Sequence, residues 1–137
     1  MKGYNIIAVY SADQKTLLMC RRLHDPYMGL LNFVGGKIEP GEDGMDAVYR
    51  ELWEETGITR GDIVLTHLMD MTYYLDDCYV EAYAGRLNQE IAVRGDENEL
   101  LWIGFDHNFF DSSKFAGEGN IGHILEHVAL HSDRVLL

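Results

Sequence analysis

"GKIEPGEDGMDAVYRELWEETGI", residues 36–58, sets four glutamates, Glu42, Glu51, Glu54 and Glu55, around a single arginine, Arg50. Met45, Val48 and Leu52 recur at spacings of three and four, which predicts a helix from Met45 to Thr56 with an apolar seam. At about 100° per residue, Glu54 and Glu55 flank Glu51 at roughly 60° and 40°, so three carboxylates share one narrow face. Like charges at these spacings cost roughly 0.2–0.5 kcal/mol per pair in water, and more when partly buried. A helix built for stability alone has little reason to place them beside its apolar seam. A hard divalent cation removes the repulsion, because it prefers oxygen donors and tolerates several carboxylates. Ala47, one turn earlier, leaves room for a ligand to approach, and Arg50 is placed to fork onto one carboxylate.

Outward from this stretch the pattern changes. "VGGKIEPGE" reads as a tight loop in which Gly36, lacking a Cβ, lets the main chain come close to a ligand. Before it, "YNIIAVY" and "KTLLMCRR" are apolar or β-branched runs divided by the turn-like "SADQ", which predicts a hairpin. "HDPYMGLLN" is expected as a loop. Beyond the helix, which "ITRGD" ends, "IVLTHLMDMTYYL", "DCYVEAYAGRL" and "ELLWIGF" predict three strands. "NIGHILEHVAL" predicts a closing helix with Ile121, Ile124, Leu125 and Val128 on one side. The expected class is α/β (α+β), a mixed sheet between helices, in a single domain over residues 1–137.

Bulk properties narrow the function. The net charge of −12 argues against duplex nucleic acid, which needs a basic stripe, and against anionic membranes. A small anionic ligand remains compatible where bound cations invert the local field. No apolar run reaches the roughly 18 residues that span a bilayer. The N-terminal segment lacks a small-residue cleavage site, and Cys20 and Cys78 are too few for a disulfide framework, so a reducing, cytoplasmic setting is expected.

The opening stretch resembles the Nudix box, G-x5-E-x7-R-E-U-x-E-E-x-G-U with U aliphatic. Gly36, Glu42, Arg50, Glu51, Leu52, Glu54, Glu55, Gly57 and Ile58 occupy its fixed positions without a gap. The resemblance implies a sheet-and-helix sandwich and hydrolysis of a nucleoside diphosphate linked to another group, with Mg²⁺ as cofactor or Mn²⁺ in its place. It implies Glu51, Glu54 and Glu55 as metal ligands and catalytic residues, joined by the carbonyl of Gly36, with Glu42 and Arg50 supporting them. Glu51 is the expected general base, and a loop glutamate is the alternative. A further acidic ligand is expected from "RGDENELLW", either Glu97 or its competitor Glu99.

Substrate contacts follow from the same resemblance, which is nearest to the purine nucleoside triphosphate group. Asn32 matches an asparagine that reads a purine edge, although a loop asparagine can equally cap its own turn. Arg21 matches a basic position near the phosphates, and Gly35 and Lys37 belong to the adjoining loop. Phe115 and Glu118 in "KFAGEGN" lie where relatives recognise 8-oxo-purines, but a glycine replaces one of the usual acids. The implied substrate is therefore a (d)NTP, with 8-oxo-dGTP as one form, cleaved to a monophosphate and pyrophosphate by a monomer or homodimer. Tyr73 and Tyr74 point to dinucleoside polyphosphates as the runner-up, whereas the lack of a proline after Pro40 argues against ADP-ribose. A silent nucleotide-sensing module is the non-enzymatic alternative, which the intact box disfavours. His123, His127 and His131 recur every four residues but drift about 40° per step around the helix, and they carry no assignment.

Overall fold

In the computed structural model, which describes residues 1–137, the central element is the first strand, β1 (Lys2–Tyr10). Its alternate side chains feed two cores. Ile7 and Val9 point to one face, Ala8 and Tyr10 to the other. β2 (Leu17–Arg21), β3 (Leu31–Asn32), β4 (Lys37–Ile38), β5 (Thr66–Tyr73), β6 (Cys78–Arg86) and β7 (Glu99–Ile103) complete a seven-stranded sheet. Its main path runs β3-β2-β1-β6-β5, with β4 paired to β1 and β7 to β2. β1 and β6 are parallel over nine pairs, from Lys2↔Cys78 to Tyr10↔Arg86. The other pairings are antiparallel.

The helices α1 (Gly44–Thr56) and α2 (Asn120–Leu130) cover opposite faces, followed by the short α3 (Ser132–Val135). Val48 and Leu52 of α1 are fully buried with Ile7, Val9 and Tyr83. Ile121, Ile124 and Val128 of α2 pack with Ala8, Tyr10 and Phe115. The expected mixed sheet between helices is what the chain forms. Three boundaries differ, the first being Lys37–Ile38, which leaves the expected tight loop to pair with β1 as β4. Leu31 and Asn32 leave the expected loop to pair with Arg21 and Cys20. The run beginning at Ile63 becomes strand only at Thr66, because Val64 is turned to solvent and Ile63 forms an isolated bridge to Leu87.

One edge of β1 matters most for function. At Tyr10 it pairs with β2, but at Ile7 it pairs with Val34, and at Tyr4 and Gly3 with β4. β2 and the 34–38 segment therefore share that edge and diverge along it. The Gly35–Gly36 pair runs beside β1 beneath α1.

Candidate active site

Asp43 caps α1 by accepting from the amides of Met45 at 3.1 Å and Asp46 at 3.3 Å. At the other end Gly57, with φ of +82°, donates to the Trp53 carbonyl at 2.8 Å, the left-handed stop that glycine favours. Between these limits α1 turns Leu52 and Val48 inward and sets Glu51, Glu54 and Glu55 along the adjoining face. Glu51 is buried, 8% exposed, whereas Glu54 is exposed. Ala47 is fully buried, so the room expected beside it is taken by packing and admits no ligand.

Arg50 organises the carboxylates. Its Nε and Nη2 fork onto Glu42 at 2.8 and 2.9 Å, and Nη1 bridges Glu51 and Glu54 at 3.1 Å each. Nη2 also donates to the Lys37 carbonyl at 3.0 Å, tying helix to loop. The hydrogen bonds from Arg50 and from the Glu39 amide hold Glu42 down at about 2. Glu55 has no such partner. Burial, followed by the charges of Glu51, Glu97, Asp96 and Glu54, pushes its carboxyl up to about 7. Burial also raises Glu51, against the pull of Arg50.

The 94–98 loop lies at the end of α1. The Arg94 amide anchors this loop to the Thr56 carbonyl at 3.2 Å, and the charge of Glu97 in it is among those that raise Glu55. Its competitor Glu99 lies in β7 opposite Arg21, with Nε to Oε2 at 3.5 Å. Arg21 is thereby occupied, and its Nη1 also donates to the Gly29 carbonyl at 3.3 Å. No three acidic, histidine or cysteine side chains converge tightly enough to chelate one ion, because Arg50 holds Glu51 and Glu54 toward Glu42. The donor set is nevertheless all oxygen and anionic, which suits a hard divalent cation. Glu51 and Glu54 have to turn from Arg50 to share it with Glu55.

Two loop glycines are constrained differently. A Cβ on Gly36 would fall on the Glu51 carboxylate, and one on Gly35, with φ of +149°, would collide with the Asn5 carbonyl. The Gly36 carbonyl, expected as a ligand, already accepts from the Asn5 amide at 2.8 Å. The Gly35 carbonyl takes no hydrogen bond from the main chain and is the freer of the two. Lys37 keeps an exposed side chain.

The expected base-binding residues divide. Asn32 Oδ1 accepts from the Phe33 amide at 2.8 Å, the self-capping use, and Nδ2 remains without a protein partner. Phe115 does not face a ligand. It is 2% exposed, its ring packs on Phe109 at 5.1 Å, and a bridge to Leu31 holds its backbone, so it belongs to the core. Glu118 accepts the Tyr27 hydroxyl on both oxygens at 2.8 Å, and burial, followed by this bond, pushes the Tyr27 phenol up to about 12. Nearby, Asn120 Nδ2 donates to the Tyr73 hydroxyl at 2.6 Å. A separate cavity of about 430 Å³, lined by Ser11, Thr16, Leu87, Ile91 and Trp102 among others, lies at the far end of β1.

Three residues of this region escaped the sequence reading: Asn5, Tyr27 and Asn120. Asn5 had a signal, a polar side chain inside an apolar strand run. Tyr27 and Asn120 had none, since their partners are far away in sequence.

Comparison with known proteins supports the same frame. Residues 1–121 match the model of the NUDIX domain family. The chain is 39% identical over 69 residues to the CTP pyrophosphohydrolase of Escherichia coli K12, covering 49% of this chain and 51% of that protein. It is 43% identical over 54 residues to the 8-oxo-dGTP diphosphatase of the same organism, covering 39% and 42% respectively. The alignments thus span about half the length of these curated relatives. Among solved structures, a Caenorhabditis elegans Ap4A hydrolase superposes with a TM-score of 0.77 at 20% identity, covering 97% of this chain and 98% of that one, a likeness of fold. With the box in place on α1 and the family model matched from residue 1 to residue 121, the chain belongs to the Nudix family.

Proposed function

We propose that the chain is a divalent cation-dependent nucleotide diphosphatase that converts a nucleoside triphosphate into a monophosphate and pyrophosphate. The observation that carries this reading is the Glu51–Glu54–Glu55 face, with the 94–98 loop tied to the end of its helix, an anionic all-oxygen donor set beside the Gly35–Gly36 turn. Both curated relatives are named for nucleoside triphosphates, which supports that substrate class.

In this reading Glu51, Glu54, Glu55 and Glu97, with the Gly35 or Gly36 carbonyl, hold Mg²⁺ or Mn²⁺. The ion, when bound, neutralises phosphate charge and acidifies the attacking water. The water oxygen bonds to phosphorus, the P–O–P bridge breaks, and pyrophosphate leaves. Glu51 takes the proton from water. Before Glu51 turns toward the ion, Arg50 holds its Oε1, while Oε2 accepts no hydrogen bond from the chain. Lys37, whose side chain is exposed, attracts the phosphates, Arg21 joins it on leaving Glu99, Asn32 Nδ2 donates to the base edge, and Glu118 with Tyr27 borders the base.

The test is a panel with Mg²⁺: CTP, dGTP, 8-oxo-dGTP, diadenosine tetraphosphate and ADP-ribose, with phosphate products identified. Pyrophosphate from a triphosphate supports the reading and ranks the bases. Cleavage restricted to the dinucleotide or the sugar nucleotide overturns the substrate class, and no turnover on any of them favours a sensor module.

A further inference from the structure

Asn5 interrupts the apolar run of β1 and is 1% exposed. It grips Gly36 twice. Its main-chain N–H donates to the Gly36 carbonyl at 2.8 Å, a bond open to any non-proline residue there, and its side-chain Oδ1 accepts the Gly36 N–H at 3.0 Å. The second bond determines which end of the side-chain amide is oxygen. Nδ2 is then a buried donor with no partner in the chain.

A buried unpaired donor is unfavourable, so stability alone would select an apolar, β-branched residue in this strand. Function offers a reason for keeping the asparagine. Across Gly36 lies Glu51, whose carboxylate covers the Gly36 Cα so closely that no Cβ fits between them. The order Asn5, Gly36, Glu51 is a stack, and the position of the middle peptide is set from below by a side chain that leaves one of its own groups unsatisfied.

We infer that Asn5 is a positioning residue of the carboxylate centre: by accepting the Gly36 N–H on its side chain, beside the main-chain bond to the Gly36 carbonyl, it fixes the seat beside which Glu51 lies when the carboxylates take up a divalent cation. The inference rests on the cation-dependent reading above. Asn5 itself touches neither substrate nor reacting atoms. Partners that orient ligands from behind typically contribute about 10–100-fold to metal affinity or activity.

Asn5→Val keeps a strand-compatible shape and removes the whole side-chain amide. Val9→Ala, on the same strand face and fully buried, removes packing without touching Gly36. Mn²⁺ binding by calorimetry, exchange of the Gly36 amide, the thermal midpoint and CTP turnover are measured on each. For Asn5→Val the expected result is Mn²⁺ binding weaker by about 10-fold, faster Gly36 exchange, and kcat lowered by about 10-fold with KM little changed. The thermal midpoint should fall no further than in Val9→Ala, which keeps wild-type Mn²⁺ affinity. Mn²⁺ affinity and kcat within about twofold of wild type in Asn5→Val would overturn the inference. If the valine does not fold, Asn5→Ala is read by the same criteria. A wild-type chain that binds no Mn²⁺ would instead defeat the cation-dependent reading, and the inference with it.

Discussion

The carboxylate of Glu51 lies directly against the Cα of Gly36, in the space a side chain would need. The glycine is thus a seat for a charged group as well as a turn former. Gly36→Ala should displace Glu51 and lower kcat by about 100-fold, the scale of an ångström-sized misplacement at a reacting centre. Steady-state kinetics beside a thermal melt will check it. A folded alanine variant with wild-type kcat would show that the seat is dispensable.

Arg50 makes five hydrogen bonds, to Glu42 twice, to Glu51, to Glu54 and to the Lys37 carbonyl. Lysine keeps the charge but cannot reproduce a planar fork reaching four partners. Arg50→Lys is expected to lose roughly 1–2 kcal/mol of stability, read by urea unfolding, and about 10-fold in turnover.

Without metal, Glu55 should make stability fall as pH rises. Its folded pKa of about 7 lies above its ordinary 4.5, so between these values the folded chain holds a proton that the unfolded chain has released. Glu51 shifts in the same direction, and Glu42, held at about 2, acts only in more acidic solution. The thermal midpoint in EDTA should therefore be higher at pH 5 than at pH 7.5, and Mg²⁺ should raise it at pH 7.5. A midpoint that climbs with pH in EDTA would contradict the environment described for Glu55.

Glu97 and Glu99 are separated by one residue but have different company. Glu97→Gln should weaken Mg²⁺ activation by about 10-fold, whereas Glu99→Gln, losing a partly exposed pair with Arg21, should change it by less than about twofold. Titrating Mg²⁺ in the activity assay distinguishes them, and the opposite ranking would reassign the fourth carboxylate.

Phe115 supports the core. Phe115→Ala should cost about 3–5 kcal/mol in unfolding free energy. Phe115→Leu should leave the ranking of CTP, dGTP and 8-oxo-dGTP unchanged. A shift of that ranking in the leucine variant would return Phe115 to the base pocket.

The helix and its carboxylate face were legible because periodicity is local: Val48, Leu52 and the three glutamates can be placed by counting. Asp43 and Gly57 mark the same boundaries through capping chemistry. The strands were legible from apolar runs, apart from Leu31–Asn32 and Lys37–Ile38, two segments too short to show a period. What periodicity could not supply was the company each side chain keeps. Phe115 reads alike as a base platform or as core. Only the tertiary position of Phe109 decides between them. Likewise, nothing near Gly36 in sequence announces that Asn5 will grip it from another strand.

The parallel ladder between β1 and β6 sets an order of events during synthesis. Lys2 waits for Cys78, and Tyr10 for Arg86, before the middle of the sheet can close. Such distant pairing makes for slow folding. Until β6 joins, Val48 and Leu52 of α1 lack Tyr83, one of the residues that bury them. A chain of net charge −12 repels its copies in this interval, which opposes self-association of chains that have yet to close the sheet. Refolding should accordingly lose more material to aggregates as salt screens that repulsion.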